Sequence, residues 1–386
     1  MTESPPRVLH FHTGTWKTGS TALQAFLDRN RGRLSDAGVS YEFQPRTDHA
    51  AGNGRHLWEC LFGHHVASDK LCGLLEDYFA GRATAVCSSE DFTGFGNREW
   101  QQLFDACARL RIYPRTITYV RDVVPYYQSL HGQLYKTGGH WCSFDEYSST
   151  DCYRPVVNSL TCLLELVGRD AMTVVHYDST IDQVDIPFIA ALGIPTDGFD
   201  RTMLADRLNR SLTQYEIDIL REVIQKTGVQ LAPALATLLL NTRPALKATW
   251  APAIEVVEKL RSRHCVDVDW LNSVFFDGVN IVNMIPEMQP TDMRNELSAS
   301  DKQAIDKDVA SWCLSALESS QDAAAGFIAE RLAHIDWRNI GHPALPSDFD
   351  PIAYLLLNLD ILKSGARPCE HYISHGRTGH GRRWRW

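Results

Sequence analysis

At 386 residues the chain is long enough for one large domain and something smaller, and its 44% hydrophobic and 22% charged residues are those of an ordinary globular protein. A formal charge of −9 argues against a general nucleic-acid binder and leaves room only for a local basic cleft. No run approaches the ~20 apolar residues of a transmembrane span, and the start, Met1 to Pro6, lacks the basic and apolar regions of a signal peptide. The ten cysteines are scattered without a C-x-x-C pair, which excludes a zinc ribbon or thioredoxin motif and predicts buried thiols in a reducing cytoplasm.

The first predicted element is a strand over Arg7 to His12, followed by the turn Thr13-Gly14-Thr15-Trp16-Lys17-Thr18-Gly19 and a helix from Ser20 to Leu34 with Leu23, Phe26 and Leu27 on one face. Strand, small-residue turn, lysine and helix N-terminus together make a receptor for a phosphate or sulfate. Unpaired backbone N–H groups and the positive end of the helix dipole face the anion, Lys17 adds a mobile charge, and Ser20 and Thr21 add hydroxyl donors. The order differs from a nucleotide P-loop, G-x-x-x-x-G-K-[ST], because here Lys17 precedes Gly19.

A glycine-bearing loop, Gly52 to His56, follows. Next come a strand over Thr84 to Ser88, a helix over Arg98 to Leu110, a strand over Arg115 to Val120 and a helix over Val124 to Tyr135, with Pro125 tolerated in its first turn. Arg121 at the strand end and Ser129 about two helical turns on suit a phosphate monoester, although Arg121 and Asp122 could equally form a surface ion pair. A helix over Pro155 to Val167, a strand over Ala171 to Tyr177 and a short helix near Pro187 to Ala190 complete an alternating pattern. It predicts a P-loop-like, mostly parallel α/β sheet flanked by helices, with ligands outside the carboxyl ends of the strands. Beyond it, helices are expected from near Thr213, over Gln214 to Val223, and over Ile254 to Arg261, and a core stretch over Asp267 to Phe276. A polar linker, Glu287 to Ser300, leads to a long amphipathic region, Asp301 to His334.

The phrase Lys17-Thr18-Gly19-Ser20-Thr21 with its continuation Ala22-Leu23-Gln24-x-Phe26-Leu27, and the R-x7-S of Arg121 and Ser129 about a hundred residues later, resemble the bacterial, carbohydrate-type branch of sulfotransferases. These enzymes use 3′-phosphoadenosine 5′-phosphosulfate (PAPS), giving adenosine 3′,5′-bisphosphate (PAP). The resemblance implies that Thr15, Trp16, Lys17, Thr18, Gly19, Ser20 and Thr21 hold the 5′-phosphosulfate, and Arg121 and Ser129 the 3′-phosphate. It implies Lys17 as the group that neutralises the leaving oxygen and Glu90, in Ser88-Ser89-Glu90, as the base; Glu90 could instead cap the turn at Asp91-Phe92. His12 and His56 are the rival bases or acceptor contacts. Tyr135 and Trp141 offer a sugar platform or core packing, and Asn209 and Ser211 cofactor contacts unless Ser211 or Thr213 merely caps a helix. No metal site is expected.

The segment from Phe349 to Gly376 is similar to a small module appended to bacterial glycosyltransferases and surface-polysaccharide enzymes. It favours a saccharide or glycoconjugate as the hydroxyl or amine acceptor. Its His371 and His375 suit packing better than a metal pair. Gly376 to Trp386, with four arginines and two tryptophans, could grip an anionic polysaccharide or simply end the chain in solvent. The expected organisation is a sulfotransferase domain over 1–285, a linker and helical region over 286–335 and a tail module over 336–386. A nucleotide-dependent phosphotransferase, needing magnesium and a carboxylate near Ser20, and a non-catalytic nucleotide- or glycan-binding protein are the alternatives.

Overall fold

A computed structural model of the protein describes residues 6–42, 52–137, 142–181, 183–205, 210–227, 232–244, 246, 252–285, 297–312 and, further on, 342–346, 349, 351, 354–355, 361, 364 and 366–376. Five strands, β1 (Arg7–His12), β2 (Val39–Ser40), β3 (Thr84–Ser88), β4 (Ile112–Val120) and β5 (Met172–His176), form one sheet in the order β2-β3-β1-β4-β5. Every pairing is parallel, with His12 beside Ser88 on one side and Ile117 on the other. The fold class is therefore α/β, as the alternation predicts. Parallel strands covered on both faces must be largely apolar, and Leu9-His10-Phe11 and Ala85-Val86-Cys87 are buried accordingly. β4 starts earlier than its apolar run indicates, at Ile112, across Pro114 near its start, where a missing N–H is best tolerated.

Strand alternation divides the core. Leu9, Phe11 and Cys87 join one apolar cluster with Trp100, Leu103, Tyr127, Leu160 and Leu271. Val86, Ile117 and Tyr119 join another with Leu23, Phe26, Leu27 and Phe188. The first cluster is built from α5 (Asn97–Arg109), α6 (Val123–Thr137), α8 (Arg154–Val167) and α13 (Ile254–Phe275). The second comes from α1 (Ser20–Arg29), α2 (Arg31–Asp36) and α9 (Asp185–Ala191).

Two helices depart from the sequence reading. The helix expected over Ser20 to Leu34 breaks at Asn30, whose side-chain amide donates to the carbonyls of Phe26 and Asp200 and accepts the N–H of Asp200, so that the side chain competes with the helical ladder. The two pieces expected at 254–261 and 267–276 are one helix, α13. Its buried polar residues His264, Asp267 and Asn272 obscure the apolar period, and His264 is held by Asp267 Oδ2 at 3.0 Å and Tyr127 Oη at 2.9 Å. Helices α3 (Arg55–Leu61), α4 (Ser68–Asp77), α7 (Phe144–Ser148), α10 (Thr202–Ala205) and α12 (Ala232–Thr242) carry no expectation; α11 (Gln214–Thr227) is longer than read. The cysteines among the described residues are free, and no described helix is long and apolar enough to cross a membrane.

By contacts the chain divides into a unit of Met1–Lys302 and one of Gln303–Trp386. The second has its own small core of Tyr354, Leu355, Ile361 and Tyr372 with Phe349 packed on it. His371 serves that core: its Nδ1 lies 2.9 Å from Tyr354 Oη, and its ring lies 5.0 Å from that of His375. The basic end, 377–386, lies outside the described residues.

Candidate functional site

The loop between β1 and α1 leaves the sheet still bonded to β4. Thr13 N–H donates to Ile117 O at 3.1 Å and Thr15 N–H to Tyr119 O at 3.0 Å. The turn then needs three residues in the left-handed region, Gly14, Lys17 and Gly19. At Lys17 this arrangement costs about 1–2 kcal/mol, strain of the kind that collects at functional sites. Gly14 is needed for a second reason, since a Cβ there would lie 3.0 Å from the Cα of Glu90. Gly19 opens α1 without any side-chain cap, and a Cβ on it would lie 2.9 Å from the Tyr177 ring. The first N–H groups of α1 are thus left for a ligand, and the hydroxyls of Thr18 and Ser20 fold back on the Thr15 carbonyl at 2.6 and 3.4 Å.

Three charged groups, Lys17, Glu90 and Arg121, from three strand ends meet over this loop, with Asp178 behind Arg121. Lys17 Nζ donates to Gln133 Oε1 on α6 at 3.1 Å, and Arg121 Nη1 donates to the Lys17 carbonyl at 3.2 Å. Arg121 is held from behind by Asp178, Nε to Oδ1 at 3.0 Å, and lies 5.2 Å above the Tyr177 ring. Glu90 opens the short 3₁₀ turn Glu90–Gly94 after β3, with Ser89 rather than Glu90 as its cap, and its carboxylate stands near the Ser20 hydroxyl and Lys17. Burial pushes the Glu90 carboxyl above the usual range, and Asp91 adds to this while Lys17 and Ser20 oppose it. Burial lowers the Lys17 ammonium, with Glu90 pulling it back up and Arg121 pushing it further down.

The ligand atoms of Asp122, His176 and Asp178 lie within 4.8 Å of one another, close enough for a metal ion. Each is engaged by protein: His176 Nε2 with Asp122 Oδ1 at 2.9 Å, Asn283 N–H with the same oxygen at 2.7 Å, and Asp122 N–H with Asp178 Oδ2 at 2.9 Å. The cluster is the mount of Arg121, whose ion-pair partner is Asp178 rather than Asp122.

Lys17, Ser20, Glu90 and Arg121 are brought together, and Thr15, Thr18 and Gly19 shape the loop that carries them. Ser129 is half-buried on α6, one turn before Gln133, and Thr21 is exposed on the first turn of α1. Trp16 lines a cleft of about 560 Å³ together with Thr93, Asn97, Asn158 and Glu165, a cleft that Lys17 does not line. His12 is no acceptor contact. Alternation along β1 sends it to the face opposite Phe11, where it is 1% exposed, meets Ser88 Oγ at 2.8 Å and packs edge-on against Tyr119 and Phe188. Burial lowers its pKa to about 3. His56 begins α3 instead of lying in a loop, with Nε2 3.8 Å from Cys60 Sγ. The preceding Gly52 and Gly54 pack on the Ser88 backbone, at the carboxyl end of β3.

Tyr135 is fully buried, its hydroxyl donating to Cys142 O at 3.1 Å, so it is core and not a sugar platform. Trp141 and Asn209 lie outside the described residues. Ser211 is exposed and Thr213 makes the cap of α11, with Glu216 N–H donating to its Oγ1 at 3.2 Å and its own N–H to Glu216 Oε2 at 2.8 Å. Sequence reasoning missed Gln133, Lys136, Tyr177 and Asp178. Only Gln133 and Lys136 had a local signal, as the fourth and seventh residues beyond Ser129 on one helical face.

No protein-family model matches the chain, and no curated protein matches it. Among solved structures it is similar to a sulfotransferase from Alicyclobacillus acidocaldarius, with a TM-score of 0.35 and 16% sequence identity over 66% of this chain and 94% of that one. A likeness this remote carries no argument about activity.

Proposed function

We propose that the chain transfers a sulfuryl group from PAPS to a hydroxyl or amine acceptor, a saccharide or glycoconjugate. The observation that carries this reading is the hydrogen bond from the Arg121 guanidinium to the Lys17 carbonyl. It puts a planar, bidentate cation beside a mobile one at the ends of neighbouring strands. A nucleotide phosphorylated at both ends of its ribose suits two such cations, and α1, which Gly19 opens without a side-chain cap, offers its first N–H groups to the 5′ end. When bound, PAPS supplies the sulfuryl group and a phosphate leaving group. Lys17 then neutralises charge on the leaving oxygen, and the loop N–H groups and Ser20 hold the 5′-phosphate. Arg121 with Ser129 reads the 3′-phosphate, and Glu90 takes the acceptor proton. Residues 1–285 form the catalytic domain in this reading, and 336–386 a saccharide-associated module.

One observation favours a second reading. The Glu90 carboxylate beside the Ser20 hydroxyl is what a magnesium-dependent phosphotransferase would require. Calorimetry with PAP against ATP plus magnesium separates the two. The proposal expects PAP to bind and ATP with magnesium to fail, and the reverse result transfers the site to phosphoryl chemistry. A screen of saccharide acceptors with labelled PAPS then follows.

A further inference from the structure

Helix α6 works as a ruler across the site. Ser129, Gln133 and Lys136 stand at i, i+4 and i+7 on one stripe, so Gln133 lies about 6 Å along the axis from Ser129 and Lys136 about 4.5 Å further. Gln133 is fixed against Lys17 by the 3.1 Å hydrogen bond. Lys136 therefore stands beyond Lys17, on the side away from Ser129. If Ser129 marks the 3′-phosphate and Lys17 the transferred group, Lys136 marks the direction from which the acceptor arrives.

Lys136 is held in place. Its Nζ donates to the Arg210 carbonyl at 2.7 Å, and Arg210 is anchored by a buried fork onto Glu216, at 2.9 and 2.6 Å, and by a 2.6 Å bond to the Leu239 carbonyl. Among the described residues no carboxylate forms an ion pair with Lys136. Burial, then repulsion from Lys17 and Arg210, lowers its pKa to about 8 against a weaker pull from Glu216. Lys136 is thus a half-buried ammonium whose hydrogen-bond partner, the Arg210 carbonyl, is neutral, and an anion beside it would compensate for that burial.

We propose that Lys136, with Gln133 beside it, forms an acceptor subsite for the anionic group of an acidic saccharide, a carboxylate or sulfate ester near the hydroxyl or amine that accepts the sulfuryl group. The assignment rests on the sulfuryl-transfer reading and narrows its acceptor from saccharides at large to charged ones. A neutral sugar would leave the Lys136 ammonium without a counter-charge.

The test uses the full chain saturated with PAP and compares p-nitrophenyl β-glucuronide with p-nitrophenyl β-glucoside by calorimetry. The wild type should bind the glucuronide about tenfold more tightly, the effect of one charge-assisted contact. Lys136→Ala should erase that preference with the PAP affinity kept within about threefold, and Lys136→Arg should restore it. A lysine that only tethers Arg210 would move thermal stability without moving the ratio between the two glycosides. Equal binding of both glycosides by the wild type, binding of neither, or a preference that survives Lys136→Ala overturns the subsite. Failure of PAP itself to bind overturns the parent reading, and this one with it.

Discussion

Asp178 grips Arg121 from the side away from the cradle: one carboxylate oxygen takes the guanidinium Nε at 3.0 Å and the other the backbone N–H of Asp122 at 2.9 Å. Burial raises the Asp178 pKa, with Arg121 as the leading opposing influence. The guanidinium is thereby aimed with Nη1 toward Lys17, where a bidentate phosphate contact is possible and a lysine would offer only a point charge.

Arg121→Ala should weaken PAP binding by about 1.5–3 kcal/mol, the range for hydrogen bonds to charged groups, and binding of adenosine 5′-monophosphate far less. Arg121→Lys should recover only part of the loss. Calorimetry with the two nucleotides decides the matter, and equal losses for both would remove Arg121 from the 3′-phosphate.

Glu90→Gln keeps the size of the side chain but removes the carboxylate proposed as the base. Turnover should fall by about 10²–10⁴-fold with PAP affinity nearly unchanged. In the wild type the active form is the ionised carboxylate, so activity is lost as pH falls through the Glu90 pKa. Because burial raises that pKa, the acid limb of kcat should lie above the ordinary carboxylate range near ~4.3. An unchanged rate in the variant would move the base elsewhere, and His56 would be next, since His12 is sealed in the core. Lys17→Ala should abolish transfer with the melting temperature preserved.

Gly19→Ala should destabilise the fold by about 1–2 kcal/mol, because φ is +77° and the new Cβ meets the Tyr177 ring under Arg121. Gly32→Ala is the control: it lies in α2 with nothing within 4 Å of the added carbon, and it should be neutral or slightly stabilising. Denaturant midpoints of the two variants would show the contrast, and similar shifts would mean that the loop is free to adapt.

His10 and His12 are buried and neutral, with pKa values lowered to about 4 and about 3, in both cases chiefly by desolvation. Below the unfolded value of 6.5 the unfolded chain binds protons that the folded one does not, so stability falls as pH drops from 6.5 toward these folded values. At pH 5 each histidine should cost about 2 kcal/mol, 1.5 pH units at 1.36 kcal/mol each. Urea titrations at pH 7 and pH 5 would measure the difference, and His12→Asn should remove close to half of it. A pH-independent midpoint over this range would contradict their burial.

Two strands are legible because they are short, apolar and unbroken, Arg7–His12 and Thr84–Ser88 matching their expected bounds, whereas β2 carried no expectation and β4 begins at Ile112, before its apolar run. The cradle was legible for a related reason, since glycine, lysine and hydroxyl residues sit together in the chain. Helix ends governed by distant partners were not. Asn30 ends α1 through Asp200, and nothing around Asn30 announces it. Buried polar residues misled in the same way: His264 reads as a surface residue until Tyr127 and Asp267 are seen beside it. Of the site itself, the parts given by local order were found. Asp178 and Tyr177, which aim Arg121 across the gap between β4 and β5, were not, because their role exists only once those strands pair.

β1 has a neighbour on each flank, so Lys17, Glu90 and Arg121 are delivered to the edge of one sheet by three separate stretches of chain. A change in the turn after β3 or in the helix after β4 alters what stands opposite the lysine, provided that the packing of Glu90 on Gly14 and the bond of Gln133 to Lys17 are kept. Under the sulfuryl-transfer proposal, a new acceptor would thus call for changes mainly in those two stretches, while the turn after β1 keeps its hold on the donor.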